Sequence, residues 1–182
     1  MTEKQRQFAA RLNGFQPVPW ELIPDLGLYM DQVITFVERQ CKELFMEGDR
    51  IFTPSMVNNY VKISLVGRPV AKKYSRDQLA QLLMICVLKQ SISTENMKTL
   101  VQPPENTTMQ AHYENFCQTE RAVFSALSDT QPLPLLTCAV QGAAYLLLCN
   151  SLLHNPQPPK GKPEPPAAKD PQPEAAKPAK KK

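Results

Sequence analysis

With 182 residues and a formal net charge of +4, the chain is long enough for one modest core plus attachments. The charge is unevenly placed: residues 155–182 hold seven lysines against Glu164, Asp170 and Glu174, so everything before them is neutral. A neutral body excludes a protein that coats nucleic acid by bulk charge, yet it allows a polarised one with a basic side.

Residues 1–24 read as an N-terminal arm. The first residues are polar, with a short helix expected around Phe8, Ala9 and Leu12, and they lack the apolar run of a secretory leader. Pro17, Pro19 and Pro24 surround Trp20 and hold this part extended, with the indole packed on the body. From Leu28 to Phe45, apolar residues recur at helical spacing (Leu28, Met30, Val33, Ile34, Val37, Cys41, Leu44, Phe45), with Asp25 or Asp31 as the cap and Gly48 as the stop. This helix suits the supporting position of a helix-turn-helix.

The stretch from Thr53 to Lys89 carries the most specific signals. Thr53 is an N-cap residue, Pro54 fits the first helical position, and Met56, Val57, Tyr60 and Val61 follow at helical spacing, which predicts a helix over 53–63. Residues 65–74 break that period with Gly67 and Pro69 among Val66, Val70 and Tyr74, which reads as a small β-hairpin or wing. Ser75 opens the next helix with Gln78 as its capping-box partner, and Leu79, Leu82, Leu83, Cys86 and Val87 give that helix a broad apolar face. Between Asn58 and Arg76 stand Lys62, Arg68, Lys72, Lys73 and Arg76 with no acid among them. Five such cations suit phosphate contact, although a basic loop that only meets water has the same composition.

Further along, Ser93 caps a short helix through Val101, and Pro103 and Pro104 end it. Residues 106–127 form an amphipathic helix with Met109, His112 or Tyr113, Phe116, Val123, Phe124 and Leu127 on one side, and His112 is a packed or rim histidine before it is a ligand. Residues 135–153 are mostly apolar and uncharged, which suits a buried core or dimer helix; a membrane anchor is the minor alternative, because Thr137, Gln141 and Asn150 are spaced through the segment with Gly142 near its middle, and because a lysine-rich tail favours the cytoplasmic side and would place the body across the membrane. Residues 155–182 hold Pro, Ala, Lys and Gln without aromatic or branched aliphatic residues, the composition of a disordered tail. Cys41, Cys86, Cys117, Cys138 and Cys149 form no C-x-x-C pair and fall in apolar stretches, so they read as buried reduced thiols of a cytoplasmic protein. Two histidines, His112 and His154, do not make a zinc site, and no cofactor or metal is expected.

Residues 53–101 resemble the DNA-binding half of MerR-type transcription regulators: a recognition helix, an Arg-bearing wing, Tyr-Ser and a helix, then a short helix near Ser91–Met97. Over about residues 20–153 the chain also resembles an uncharacterised, mostly Gram-positive bacterial domain family of helix-turn-helix type, through LYMDQVI, TPSMVNNYV, KKYSR and ICVLKQ. The resemblance implies a mainly α fold: a winged helix-turn-helix (MerR-like) core over 25–101 with a small hairpin, and added C-terminal helices over 102–154. MerR-type proteins carry arginines where this chain has Ser55 and Asn58, a glycine where it has Ser64, and paired tyrosines where it has Asn59 and Tyr60. Amides can still read adenine in a major groove.

The expected function is a cytoplasmic, dimeric regulator that binds double-stranded DNA. The helix over 53–63, with Thr53, Ser55, Asn58 and Asn59, would enter the major groove; Arg68, Lys72 and Lys73 would meet phosphates, with Lys62 and Arg76 flanking them. The alternative is a protein-interaction module that keeps the fold without DNA readout. Catalysis is not expected: the sequence has no phosphate-binding glycine loop and no nucleophile-and-base pattern.

Overall fold

The computed structural model describes residues 3–46, 48–126 and 135–153. The fold is mainly helical: α1 (Glu3–Gly14), α2 (Met30–Cys41), α3 (Pro54–Lys62), α4 (Arg76–Leu88), α5 (Thr94–Val101), α6 (Met109–Ser125) and α7 (Leu135–Leu153). Short 3-10 turns at Trp20–Leu22 and Lys42–Leu44 interrupt the connections. The expected disordered tail and His154 lie outside the described residues.

Helix α4 is the centre. Its residues from Gln78 to Cys86 are buried, and a helix apolar on nearly every side belongs inside. It packs against α2, α5 and α6, while α1 lies on α6. One hydrophobic cluster runs from Ile23 of the arm through Val33, Val37, Val57, Leu79, Leu82, Ile85 and Met97 to Tyr113 and Cys117 of α6. The sequence boundaries at 24/25 and 101/102 therefore fall inside continuous packing. The arm is fixed by the Tyr113 hydroxyl, which donates to the Val18 carbonyl at 2.8 Å, and by Trp20, whose ring lies 6.1 Å from that of Tyr113.

Local capping signals translate directly. Thr53 Oγ1 accepts from the Met56 N–H at 3.2 Å, and the Ser75 N–H donates to Gln78 Oε1 at 2.7 Å. Ser93 Oγ accepts from the Asn96 N–H at 3.4 Å. Two helix starts differ from expectation. Helix α6 begins at Met109 behind a Thr108 cap, with Asn106 in the left-handed region at φ 64°. Helix α2 begins at Met30, capped at Tyr29, so neither Asp25 nor Asp31 is its cap. The cause is tertiary: Leu28 and Tyr74 exchange backbone hydrogen bonds at 3.0 and 2.8 Å, which keeps Leu28 extended and out of the helix.

The expected β-hairpin at 65–74 is not formed as strands. Among the described residues there are only isolated bridges, Leu28 with Tyr74 and Val70 with Lys73. Pro69 has no N–H to extend a ladder, and Tyr74 pairs outside the segment. What remains is one two-residue reversal. Val70 and Lys73 bond each other in both directions, at 3.1 and 2.9 Å, and both central residues have positive φ, Ala71 at 48° and Lys72 at 64°. That is the signature of a type I′ turn, which favours Asn-Gly.

Helix α7 corrects the expectation of a core helix. Leu135, Leu136, Val140, Tyr145, Leu147, Leu148 and Leu152 are all exposed. Its attachment is slight: it touches α5, where the Asn96 side chain donates to Asn150 Oδ1 at 3.3 Å, and Leu146 and Cys149 are partly packed on the core. The cysteines also divide, with Cys41, Cys86 and Cys117 buried, Cys149 half-buried and Cys138 exposed.

Candidate nucleic-acid interface

Helix α3 turns Val57 and Tyr60 into the core and leaves Ser55, Asn58, Asn59 and Lys62 exposed. This follows from a 3.6-residue period in which the apolar positions share one side. Thr53 is half-buried and its hydroxyl oxygen accepts the cap bond that sets the start of the helix. The exit from α3 is a Schellman motif: the Leu65 N–H donates to the Tyr60 carbonyl at 2.9 Å and the Ser64 N–H to the Val61 carbonyl at 3.1 Å. Ser64 occupies the left-handed position at φ 58°, where glycine is the usual residue.

The segment after that exit is mounted on α4 and the end of α5 by carboxamides. Gln78 Nε2 donates to the Gly67 carbonyl at 2.8 Å, and Gln102 Nε2 donates to the Leu65 carbonyl at 2.9 Å. Gln81 Nε2 in turn donates to Gln102 Oε1 at 3.2 Å. The segment is thus held by side chains where a strand ladder was expected. Two glutamines on the buried face of an otherwise apolar helix were the sequence signal for this. From the sequence, Gln78 reads only as a capping-box partner.

The basic residues fall into two groups. Lys62, Arg68 and Lys72 are exposed, and none has an ion-pair partner among the described residues. Lys73 is exposed too, with its ammonium 5.2 Å from the centre of the Tyr29 ring. It passes so close to Gly27 that a Cβ there would stand 2.8 Å from Lys73 Cβ. Arg76 separates from the others. It is half-buried, paired at 3.7 Å with Asp25, and lies 5.7 Å from the Trp20 ring centre. Of the five cations in the cluster, four therefore point outward and one is drawn into the arm.

An open groove of about 550 Å³ separates the end of α3 from this turn, lined by Val61, Ser64, Arg68, Val70, Lys73, Asp77 and Asp25, with Gln78, Gln81 and Gln102 on its wall. The sequence reasoning missed the two carboxylates, because Asp25 precedes the basic stretch and Asp77 begins the helix after it.

Away from this surface, the core contains groups with shifted protonation. Cys41 is raised well above the usual thiol value, first by its hydrogen bond with Cys86 and then by burial; burial also raises Cys117 to about 11. Both of these buried thiols are held away from the reactive thiolate. Glu120 is buried, neither carboxyl oxygen has a hydrogen-bond partner, and burial raises it to about 7. His112 Nε2 bonds the Leu100 carbonyl at 2.8 Å, a packing role. No group of three His, Cys, Asp or Glu among the described residues is arranged to hold a metal.

The class defined here is an all-helical domain around a buried central helix, presenting a short polar-faced helix beside a basic reverse turn. The chain belongs to the DUF1836 family, a domain of unknown function, whose pattern matches residues 18–120, from the arm after α1 into α6. No curated protein matches the chain, and no solved structure does.

Proposed function

We propose that this domain binds double-stranded DNA as a transcription regulator, with α2 and α3 as a MerR-like helix-turn-helix and residues 65–74 as a reduced wing. The observation that carries the proposal is the outward polar face of α3, Ser55, Asn58, Asn59 and Lys62, next to a turn that holds Arg68, Lys72 and Lys73 in water. Asn58 and Asn59 offer amides to base edges, and the cations offer charge to phosphates. Lys72 adds a second line of support. A non-glycine residue at φ 64° in such a turn is strained, and strain retained at an exposed cation fits a selected contact. Helix α3 is only nine residues long, so it suits insertion end-on or at a shallow angle, supported by the turn. A symmetric dimer on a two-fold site, acting on the cytoplasmic side without catalysis, completes the proposal.

The second reading is a protein-interaction module. Asp25 and Asp77 line the same groove as Arg68 and Lys73, and a groove of mixed sign suits a charged peptide better than a polyanion.

The test is anisotropy of labelled duplexes with the full chain at two salt concentrations, after selection from genomic fragments. Arg68→Ala with Lys72→Ala is expected to lower affinity about tenfold or more and to reduce the salt slope by about 2. Unchanged affinity and slope would remove the wing from the interface. No retention of any duplex at low salt would favour the interaction module.

A further inference from the structure

We infer that α7 is a bilayer-inserting helix and that the body of the protein is tethered by it to a lipid membrane. Three properties of α7 coincide. Its 19 residues reach about 28 Å, close to the hydrocarbon thickness of about 30 Å. It has no charged residue, and the uncharged run extends from just after Asp129 to just before Lys160. Its mean hydropathy is 1.5, and none of its residues is buried against the body.

The distribution of the exposed side chains identifies the occupant. A second copy of the chain would need one apolar stripe. Here Leu136, Val140 and Leu147 form one row, and Tyr145, Leu148 and Leu152 form another, while Leu146 and Cys149 point to α5. An uncharged helix with apolar side chains on two separate faces is covered either by a protein core or by lipid, and the core of this chain takes only Leu146 and Cys149 in part. Gly142 fits the same reading: a Cβ there would meet nothing within 4 Å, and glycine is tolerated more readily in membrane helices than in exposed aqueous ones. Seven lysines follow α7 in sequence, a composition that anionic headgroups attract. Thr137, Gln141, Asn150 and Ser151 are the polar residues of α7, and on insertion Asn150 gives up its bond with Asn96.

This inference does not depend on duplex binding. An exported body would end the duplex proposal and leave the tether standing, and a DNA-binding protein without a tether would do the reverse.

The test is flotation of the full chain with vesicles of phosphatidylcholine and a minority of phosphatidylglycerol, followed by high-salt and carbonate washes. The paired substitution Val140→Lys with Leu147→Lys changes exposed positions only, and circular dichroism checks that the body still folds. The wild type is expected to float and to resist both washes, while the double variant stays with the soluble fraction. Three results would overturn the inference: no flotation of the wild type, flotation stripped by salt alone, or a soluble wild-type dimer that the double variant dissociates. The second would assign binding to the lysines and the third would assign α7 to a second copy.

Discussion

The guanidinium of Arg76 lies over the indole of Trp20, 5.7 Å from the ring centre, and so the first residue of α4 is held by the N-terminal arm. Asp25 completes the clasp at 3.7 Å. Because Asp25 is 78 % exposed, the ion pair adds little to stability, and Asp25→Asn is expected to shift unfolding by less than about 0.5 kcal/mol. Under the duplex proposal the same change removes a carboxylate from the groove and loosens Arg76. Affinity for DNA is then expected to rise about two- to fivefold, as read by anisotropy at low salt.

Ser64 gives a prediction about stability alone. Its left-handed backbone costs a side-chain-bearing residue about 1 kcal/mol relative to glycine. Ser64→Gly is expected to raise the urea midpoint by the equivalent of about 1 kcal/mol with an unchanged slope, and Ser64→Val to lower it by a similar amount or more. Equal stabilities in the three proteins would mean that the Schellman exit is not under strain.

The turn at Ala71–Lys72 separates stability from binding. Replacing it with Asn-Gly (Ala71→Asn with Lys72→Gly) relieves two positive φ values, and the expected gain is about 1–2 kcal/mol in thermal or urea unfolding. The same double variant loses one exposed cation, so its duplex affinity should fall and its salt slope should shrink by about 1. A variant that gains stability and keeps full affinity would leave Lys72 without a role in binding.

Glu120 sets a pH dependence. Its folded value, raised to about 7 by burial, exceeds the ordinary carboxylate value of 4.5, so the folded state holds the proton more tightly than the unfolded chain. Stability is therefore greatest below the unfolded value. It falls as pH rises from about 4.5 to 7, by about 3 kcal/mol in all, and then levels off. Glu120→Gln, which keeps the shape without the charge, should flatten that slope. Urea titrations of the two proteins across this range give the check, and parallel curves would show that Glu120 is not the group responsible.

What could be read in the sequence was local. Thr53, Pro54, Ser75 with Gln78, and Ser93 each announce a helix start within a few residues, and the outward placement of Ser55, Asn58, Asn59 and Lys62 follows from where Val57 and Tyr60 must point. The left-handed turn at Ser64 was legible from its departure from the resembled glycine. What the sequence concealed was long-range. Leu28 leaves an apparent helical stripe because Tyr74, far along the chain, claims its backbone. Arg76 leaves the basic cluster because the arm folds back onto it. The hairpin shrinks to one turn because Gln78 and Gln102 capture carbonyls that a strand would have paired. Helix α7 leaves the core for a different reason: a long uncharged run rich in leucine states that a helix avoids water, and not whether protein or lipid replaces the water.

The bond from the Tyr113 hydroxyl to the Val18 carbonyl spans 95 positions of chain. A ribosome adding about 10 residues per second releases the arm roughly ten seconds before its anchor. During that interval Pro17, Val18 and Trp20 have no α6 to lie on, and the nascent chain presents them to chaperones. Quality control of this protein should therefore act on its N-terminal end, and substitutions at Tyr113 should shorten its cellular lifetime more than their effect on the purified, already folded molecule implies.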